Sequence, residues 1–245
     1  MTLLAWMFSP IVTIMAILHT TLSSVVGLAV MAVKPNSGDW MMWNVGRRFW
    51  SRPLLKWIVG AKLDVAVDPM AQALADAGNG AVLVANHTSL LDINAAFSAS
   101  PTPIVFLSKA SVRKVPLLGK LNELAGTVFV ERGNRASSER AVNQLTSTLK
   151  NGRSVLVFPE GTRSSNGHMQ TFKKGAFHLA KAGGAPIIPM HIHGTFDRLP
   201  PKAWFIRCTG TDIRVRIGAP FASEGTPEEL LTKARENITA LGLQD

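Results

Sequence analysis

An α/β domain with a mostly buried mixed sheet flanked by helices, preceded by a membrane-embedded helical segment, is the architecture this sequence predicts. Three observations carry the prediction. From residue 63 onward, short apolar runs alternate with stretches of helical periodicity. Two of those runs, Ala81-Val82-Leu83-Val84-Ala85 and Ser154-Val155-Leu156-Val157-Phe158, are continuous, the pattern of strands covered on both faces. No Asp, Glu, Lys or Arg occurs before Lys34.

Taken in order, residues 1–33 form the charge-free segment. A straight helix of that length would span roughly 46 Å, against a hydrocarbon core of about 30 Å. Either it tilts as one span, or it breaks at Pro10 or at the polar cluster His19-Thr20-Thr21 with Ser23-Ser24. Two such halves would be too short to cross and would dip into one leaflet. No basic residue precedes the apolar run, which argues against a signal peptide. Residues 34–62 are basic and rich in tryptophan: Lys34, Arg47, Arg48, Arg52, Lys56 and Lys62 stand against Asp39, and Trp43, Trp50 and Trp57 recur every seven residues. With Asp39 capping the start and Gly60 the end, this reads as a helix at the lipid interface, aromatic side down and cations towards phosphates. The charge bias puts that end on the cytoplasmic side.

Residues 63–245 make the α/β domain. Strands are expected at Leu63–Val67, Ala81–Ala85, Pro103–Leu107, Thr127–Val130, Ser154–Phe158, Ile187–Ile192, Ala203–Ile206 and Ile213–Ile217. Helices are expected at Met70–Ala77, from about Ala136 to Lys150 with Ala141, Leu145 and Leu149 on one face, and at Phe172–Ala182 before Gly183-Gly184. The last helix opens on Thr226-Pro227-Glu228-Glu229, a capping box with proline at the first helical position.

A net charge of +10 and a pI near 10.3 call for an anionic partner. A mean hydropathy of +0.18 is high for so basic a chain and favours lipid over nucleic acid. The absence of tyrosine also counts against a base-stacking surface. One cysteine, Cys208, excludes an internal disulfide and a thiolate metal cluster.

The chemistry is placed at Asn86-His87-Thr88-Ser89-Leu90-Leu91-Asp92, between a buried strand and a helix. On one regular helix His87 and Asp92 would lie roughly 140° apart. To meet, His87 must sit on the turn, with Asp92 reaching back from the first helical turn. Asp92 would then fix the imidazole tautomer and leave the other ring nitrogen free to take a proton. The plain alternative is a capping histidine and a solvated aspartate.

Phe158-Pro159-Glu160-Gly161-Thr162-Arg163-Ser164 leaves a strand into a tight turn whose backbone N–H groups, hydroxyl and guanidinium could hold a phosphate. Phe172-Lys173-Lys174-Gly175 adds cations at the next helix start. Arg132, in Gly126-Thr127-Val128-Phe129-Val130-Glu131-Arg132, lies just past another strand. Pro186-Ile187-Ile188-Pro189-Met190 reads as structural. His191 and His193 share a strand face, but no carboxylate or cysteine set accompanies them as metal ligands. No G-x-S-x-G elbow supports a serine nucleophile.

Together these blocks resemble the glycerolipid acyltransferases of the bacterial 1-acyl-glycerol-3-phosphate acyltransferase type. NH-x4-D is Asn86–Asp92, G-x-x-F-x-x-R is Gly126–Arg132, F-P-E-G-T-R-S is Phe158–Ser164, and the apolar-proline block is Ile188-Pro189-Met190. The resemblance covers residues 60–220 and implies acyl transfer from acyl-CoA or acyl carrier protein to a lysophospholipid hydroxyl, without metal or cofactor. His87 would be the general base, oriented by Asp92. Arg132, Gly161, Thr162 and Arg163 would hold the acceptor phosphate, with Glu160 shaping that loop and Lys109 a further cation. Backbone donors near His87 would meet the oxyanion. The expected setting is a bacterial inner membrane, catalytic domain on the cytoplasmic side, with lipid rather than nucleic acid as partner. Glycerol-3-phosphate, a lyso-ornithine lipid or another lysolipid remain alternative acceptors. A non-catalytic basic membrane-binding protein on the same fold is the rival from another class.

Overall fold

The computed structural model describes residues 3–131 and 133–243; Met1, Thr2, Arg132, Gln244 and Asp245 lie outside the described residues, as do the side chains of residues 3–6 and Asp39. Helix α1 (Leu3–Val33) runs unbroken through Pro10 and through the polar cluster. His19, Thr20 and Ser24 do not interrupt it, because they face the rest of the protein or bond within the helix. Trp50 Nε1 donates to Thr20 Oγ1 (3.1 Å), His19 Nε2 reaches the Trp50 carbonyl (3.0 Å), and Ser24 returns its hydroxyl to Thr20 O within the helix. Ala16, Ser24 and Gly27 share that inward side, and a Cβ on Gly27 would come within 2.9 Å of Leu121 Cδ1. Small residues thus allow close packing. Met7, Ile11, Ile14, Leu18, Leu22 and Val25 point outward, all exposed.

A single turn, α2 (Gly38–Trp40), continues as a π-helix over Met41–Ser51 and Leu54–Ile58. Its i→i+5 bonding widens the turn, so a seven-residue repeat does not return to one face. The three tryptophans accordingly diverge: Trp57 is exposed, Trp50 packs against Phe97 (centroids 6.1 Å apart), and Trp43 lies under the Arg47 guanidinium (4.7 Å). Arg47, half-buried, and Arg52, exposed, both donate to Ser98 O. Arg48 and Lys56 are exposed.

The domain follows as β1 (Leu63–Val67), α3 (Pro69–Asp76), β2 (Val82–Ala85), α4 (Leu91–Ala99), β3 (Ile104–Lys109), a 3-10 turn (Ala110–Lys114), α5 (Leu118–Leu124), β4 (Val128–Val130), α6 (Arg135–Lys150), β5 (Ser154–Val157), α7 (Gly175–Gly183), β6 (Ile187–His193), α8 (Thr195–Arg198), β7 (Ile213–Ile217) and α9 (Pro227–Gly242). The strands form one sheet in the order β1-β7-β6-β2-β5-β3-β4, parallel except for the antiparallel pair β6·β7. Alternate residues of β2 and β5 feed two cores. Leu83 and Leu156 face α1, α4 and the π-helix; Val82, Val84, Val155 and Val157 face α6, α7 and α9. That two-sided cover is why both strands read as unbroken apolar runs. α3 is capped by Asp68, α6 by Asn134, and α9 by the expected box of Thr226 and Glu229.

Two expectations are corrected. Ala203–Ile206 is a loop, because only Ile206 is buried and its N–H is satisfied by Thr13 Oγ1 at 2.7 Å. α7 starts at Gly175 instead of Phe172, since Lys173 N–H is bonded to Pro159 O in the loop (2.8 Å).

Candidate active site at the carboxyl edge of the sheet

Strands β2 to β6 share one direction, so their carboxyl ends meet at one edge of the sheet, where open α/β folds gather ligands. At the centre of that edge, Asn86 prolongs β2 through its side chain. Nδ2 donates to Ile192 O (2.9 Å) and Oδ1 accepts from Ile192 N–H (2.8 Å), which clamps the following turn to β6.

That turn brings His87 back over the start of α4. Asp92, the second residue of α4 and fully buried, approaches His87 Nδ1 with Oδ2 at 2.9 Å. The same oxygen accepts from Thr88 N–H (2.6 Å) and Ser89 N–H (2.8 Å), and Oδ1 accepts from Thr195 Oγ1. Four bonds to one carboxylate fix its plane. Since the carboxylate accepts, Nδ1 donates, and in the neutral imidazole Nε2 is the nitrogen that carries the lone pair. The imidazole stacks on Phe158 (centroids 4.1 Å apart, planes 17° apart) and keeps 14% of its side-chain surface exposed, enough to be reached by a substrate.

The Phe158–Ser164 turn is bolted to the His87 turn. Glu160 Oε1 accepts from His87 N–H (2.7 Å) and Oε2 from Gln170 N–H (3.0 Å), while Ser164 N–H donates to His87 O (2.8 Å). Glu160 is buried, which pushes its carboxyl above the ordinary range, a rise opposed by the Gln170 and His87 N–H groups. With both oxygens bonded to backbone N–H groups, Glu160 braces the turn. Gly161 has φ +70, and the Lys173 side chain crosses it so closely that a Cβ there would lie 3.1 Å from Nζ.

Thr162 is exposed, Arg163 half-buried, and Lys109 exposed at the end of β3, all on this same edge. None of them is hydrogen-bonded to the dyad among the described residues; Arg132 lies outside those residues. The backbone donors of the His87 turn are already used, His87 N–H by Glu160 and those of Thr88 and Ser89 by Asp92. These three N–H groups are therefore not free for an oxyanion. Sequence reasoning also missed Thr195, whose role depends on β6 lying beside β2 with Gly194 (φ +85) turning the chain inward. The Phe158 stack depends in the same way on β5 lying beside β2.

Residues 67–193, just over half of the chain, match the family model described as Acyltransferase. The 1-acyl-sn-glycerol-3-phosphate acyltransferase of Saccharomyces cerevisiae is 36% identical over 160 residues, 64% of this chain and 52% of that protein. The Escherichia coli protein of the same name is 34% identical over 126 residues, 51% of each chain. This chain thus matches about half the length of these curated relatives. The crystal structure of the 1-acyl-sn-glycerophosphate (LPA) acyltransferase from Thermotoga maritima superposes with a TM-score of 0.76 over 98% of this chain and 97% of that one, at 22% identity, a likeness of fold. Its sheet, its four ordered sequence blocks and its match to the family model agree: the chain belongs to the acyltransferase family.

Proposed function

We propose that the chain transfers a fatty acyl group from acyl-CoA or acyl carrier protein to the sn-2 hydroxyl of 1-acyl-glycerol-3-phosphate, giving phosphatidic acid. The observation that carries this reading is the His87–Asp92 contact, which occupies Nδ1 and turns Nε2 of the neutral ring into the proton acceptor at the rim of the sheet. Nε2 takes the proton of the acceptor hydroxyl, and the oxygen attacks the thioester carbonyl. The tetrahedral intermediate then expels the thiolate, which recovers the proton from the imidazolium. No covalent acyl-enzyme is needed. Arg163, Gly161 and Thr162, with Lys109 and Arg132, hold the acceptor phosphate. The N–H groups of Thr162 and Arg163, unbonded among the described residues, are the ones left for developing negative charge.

α1 supplies the site's location. It packs on the domain from Thr13 to Gly27, so crossing a bilayer would drag the domain with it. The helix instead lies along one leaflet, apolar side in lipid, with the basic stretch Lys34–Lys62 on the cytoplasmic side of a bacterial inner membrane. The test is acyl transfer by the purified chain to a panel of lysolipids with both thioester donors. Transfer to 1-acyl-glycerol-3-phosphate that disappears in His87→Ala supports the reading. A preference for an acceptor without phosphate overturns it.

A further inference from the structure

The loop expected as a strand exposes what a strand would have hidden. Trp204 is 90% exposed and Phe205 42%, although both ends of the loop are firmly held. Arg207 N–H donates to Arg198 O (2.8 Å) and Ile206 N–H to Thr13 Oγ1 of α1 (2.7 Å). The buried Arg198 guanidinium binds the carbonyls of Val59, Cys208, Gly210 and Thr211. The tip is therefore displayed by a braced base. It also adjoins α1: Trp204 and Ala203 line a groove of about 420 Å³ together with Thr13 and Ile17 of α1 and Leu90 of the catalytic turn. Lys202 and Arg207 flank the aromatic pair.

We infer that Trp204 and Phe205 form a second lipid-contact element, entering the same leaflet as α1 with Lys202 and Arg207 at the phosphate level. An indole at a membrane interface keeps its N–H wet and its rings in the acyl boundary, and neighbouring cations favour anionic headgroups. The loop borders α1 at Ile17, itself exposed, and is tied to the reacting turn, since Ser89 Oγ donates to Leu199 O (2.8 Å). Two supports, one on each side of the groove, then hold that turn against the leaflet in which the acceptor is dissolved. The inference rests on the membrane reading of α1, and the test separates the two.

In a Cys208→Ser background, an environment-sensitive fluorophore is placed at Leu18→Cys on α1 or at Trp204→Cys, and phosphatidylglycerol–phosphatidylethanolamine vesicles are added. Blue shifts and quenching by shallow spin-labelled lipid at both positions are expected. A response at 18 with none at 204 overturns the inference and leaves α1 standing. A response at 204 alone overturns the shared leaflet and the reading of α1 with it; silence at both sinks the two together. A shift at 204 produced by acyl carrier protein without vesicles also overturns it. Independently, the double variant Trp204→Ser with Phe205→Ser is expected to partition roughly tenfold less into these vesicles. Its turnover of a short-chain, water-soluble acceptor stays unchanged, whereas an unchanged rate on vesicle-borne acceptor counts against the inference.

Discussion

Thr195 Oγ1 donates to Asp92 Oδ1, the oxygen that His87 leaves unused. The Asp92 carboxylate is thus held from the far side by a residue on β6's exit, 103 positions along the chain. Thr195→Val keeps the volume and removes the donor. Turnover is expected to fall by about one to two decades with KM unchanged, and Thr195→Ser restores most of it. The unsatisfied acceptor costs about 1–3 kcal/mol of stability. Steady-state kinetics on the three proteins decide it: equal turnover in all would reduce Thr195 to packing.

Asp92→Asn replaces an acceptor that serves three donors at one oxygen. The amide can satisfy only some of them, and the imidazole tautomer is released. Turnover is expected to drop by several decades, comparable with His87→Ala. A loss below tenfold would mean that Asp92 acts only at the helix start.

Glu160 gives a pH signature. Burial lifts its carboxyl above the ordinary range, so the folded state holds this proton more tightly than the unfolded chain. Stability tied to the group is greatest at acid pH and declines as pH rises from the unfolded pKa through the raised one. Glu160→Gln abolishes that decline in a plot of Tm against pH. At neutral pH it destabilises by about 1–3 kcal/mol, because its amide cannot accept from both His87 and Gln170 N–H.

Arg163→Ala is expected to raise KM for 1-acyl-glycerol-3-phosphate while turnover changes little. Gly161→Ala should act in the same direction, through a strained φ of +70 and displacement of the Lys173 ammonium. Comparison with a lysolipid lacking a phosphate monoester is the check: an equal loss there would remove both residues from phosphate recognition.

Gly27→Leu overfills the seam between α1 and Leu121. The expected destabilisation is about 1–3 kcal/mol by thermal unfolding, with vesicle binding kept, because the outward side of α1 is untouched.

Local pattern made much of this structure legible. The continuous runs at Val82 and Val155 became central strands, and Thr226-Pro227-Glu228-Glu229 became a capped helix. The five-residue spacing of His87 and Asp92 resolved into a turn closed by their own hydrogen bond. What stayed hidden depends on partners far along the chain. Thr195 matters only because β6 lies beside β2, and Trp50 turned inward only because α1 offers Thr20. Ala203–Ile206 has strand composition, yet its side chains have no sheet to lie on. The polar residues of α1 looked like breaks because periodicity alone does not tell which side of a helix meets protein.

The strand order has a consequence for biosynthesis. β1 pairs with β7 alone, from Leu63 against Ile213 to Val67 against Ile217. As the chain leaves the ribosome, its opening strand has no neighbour until almost the whole sequence has been made, and the Arg198 rivet to Val59 cannot close sooner. Through that interval α1 presents its apolar outward side, so on the proposed lipid setting the nascent chain is expected to rest on the bilayer before its sheet edge exists.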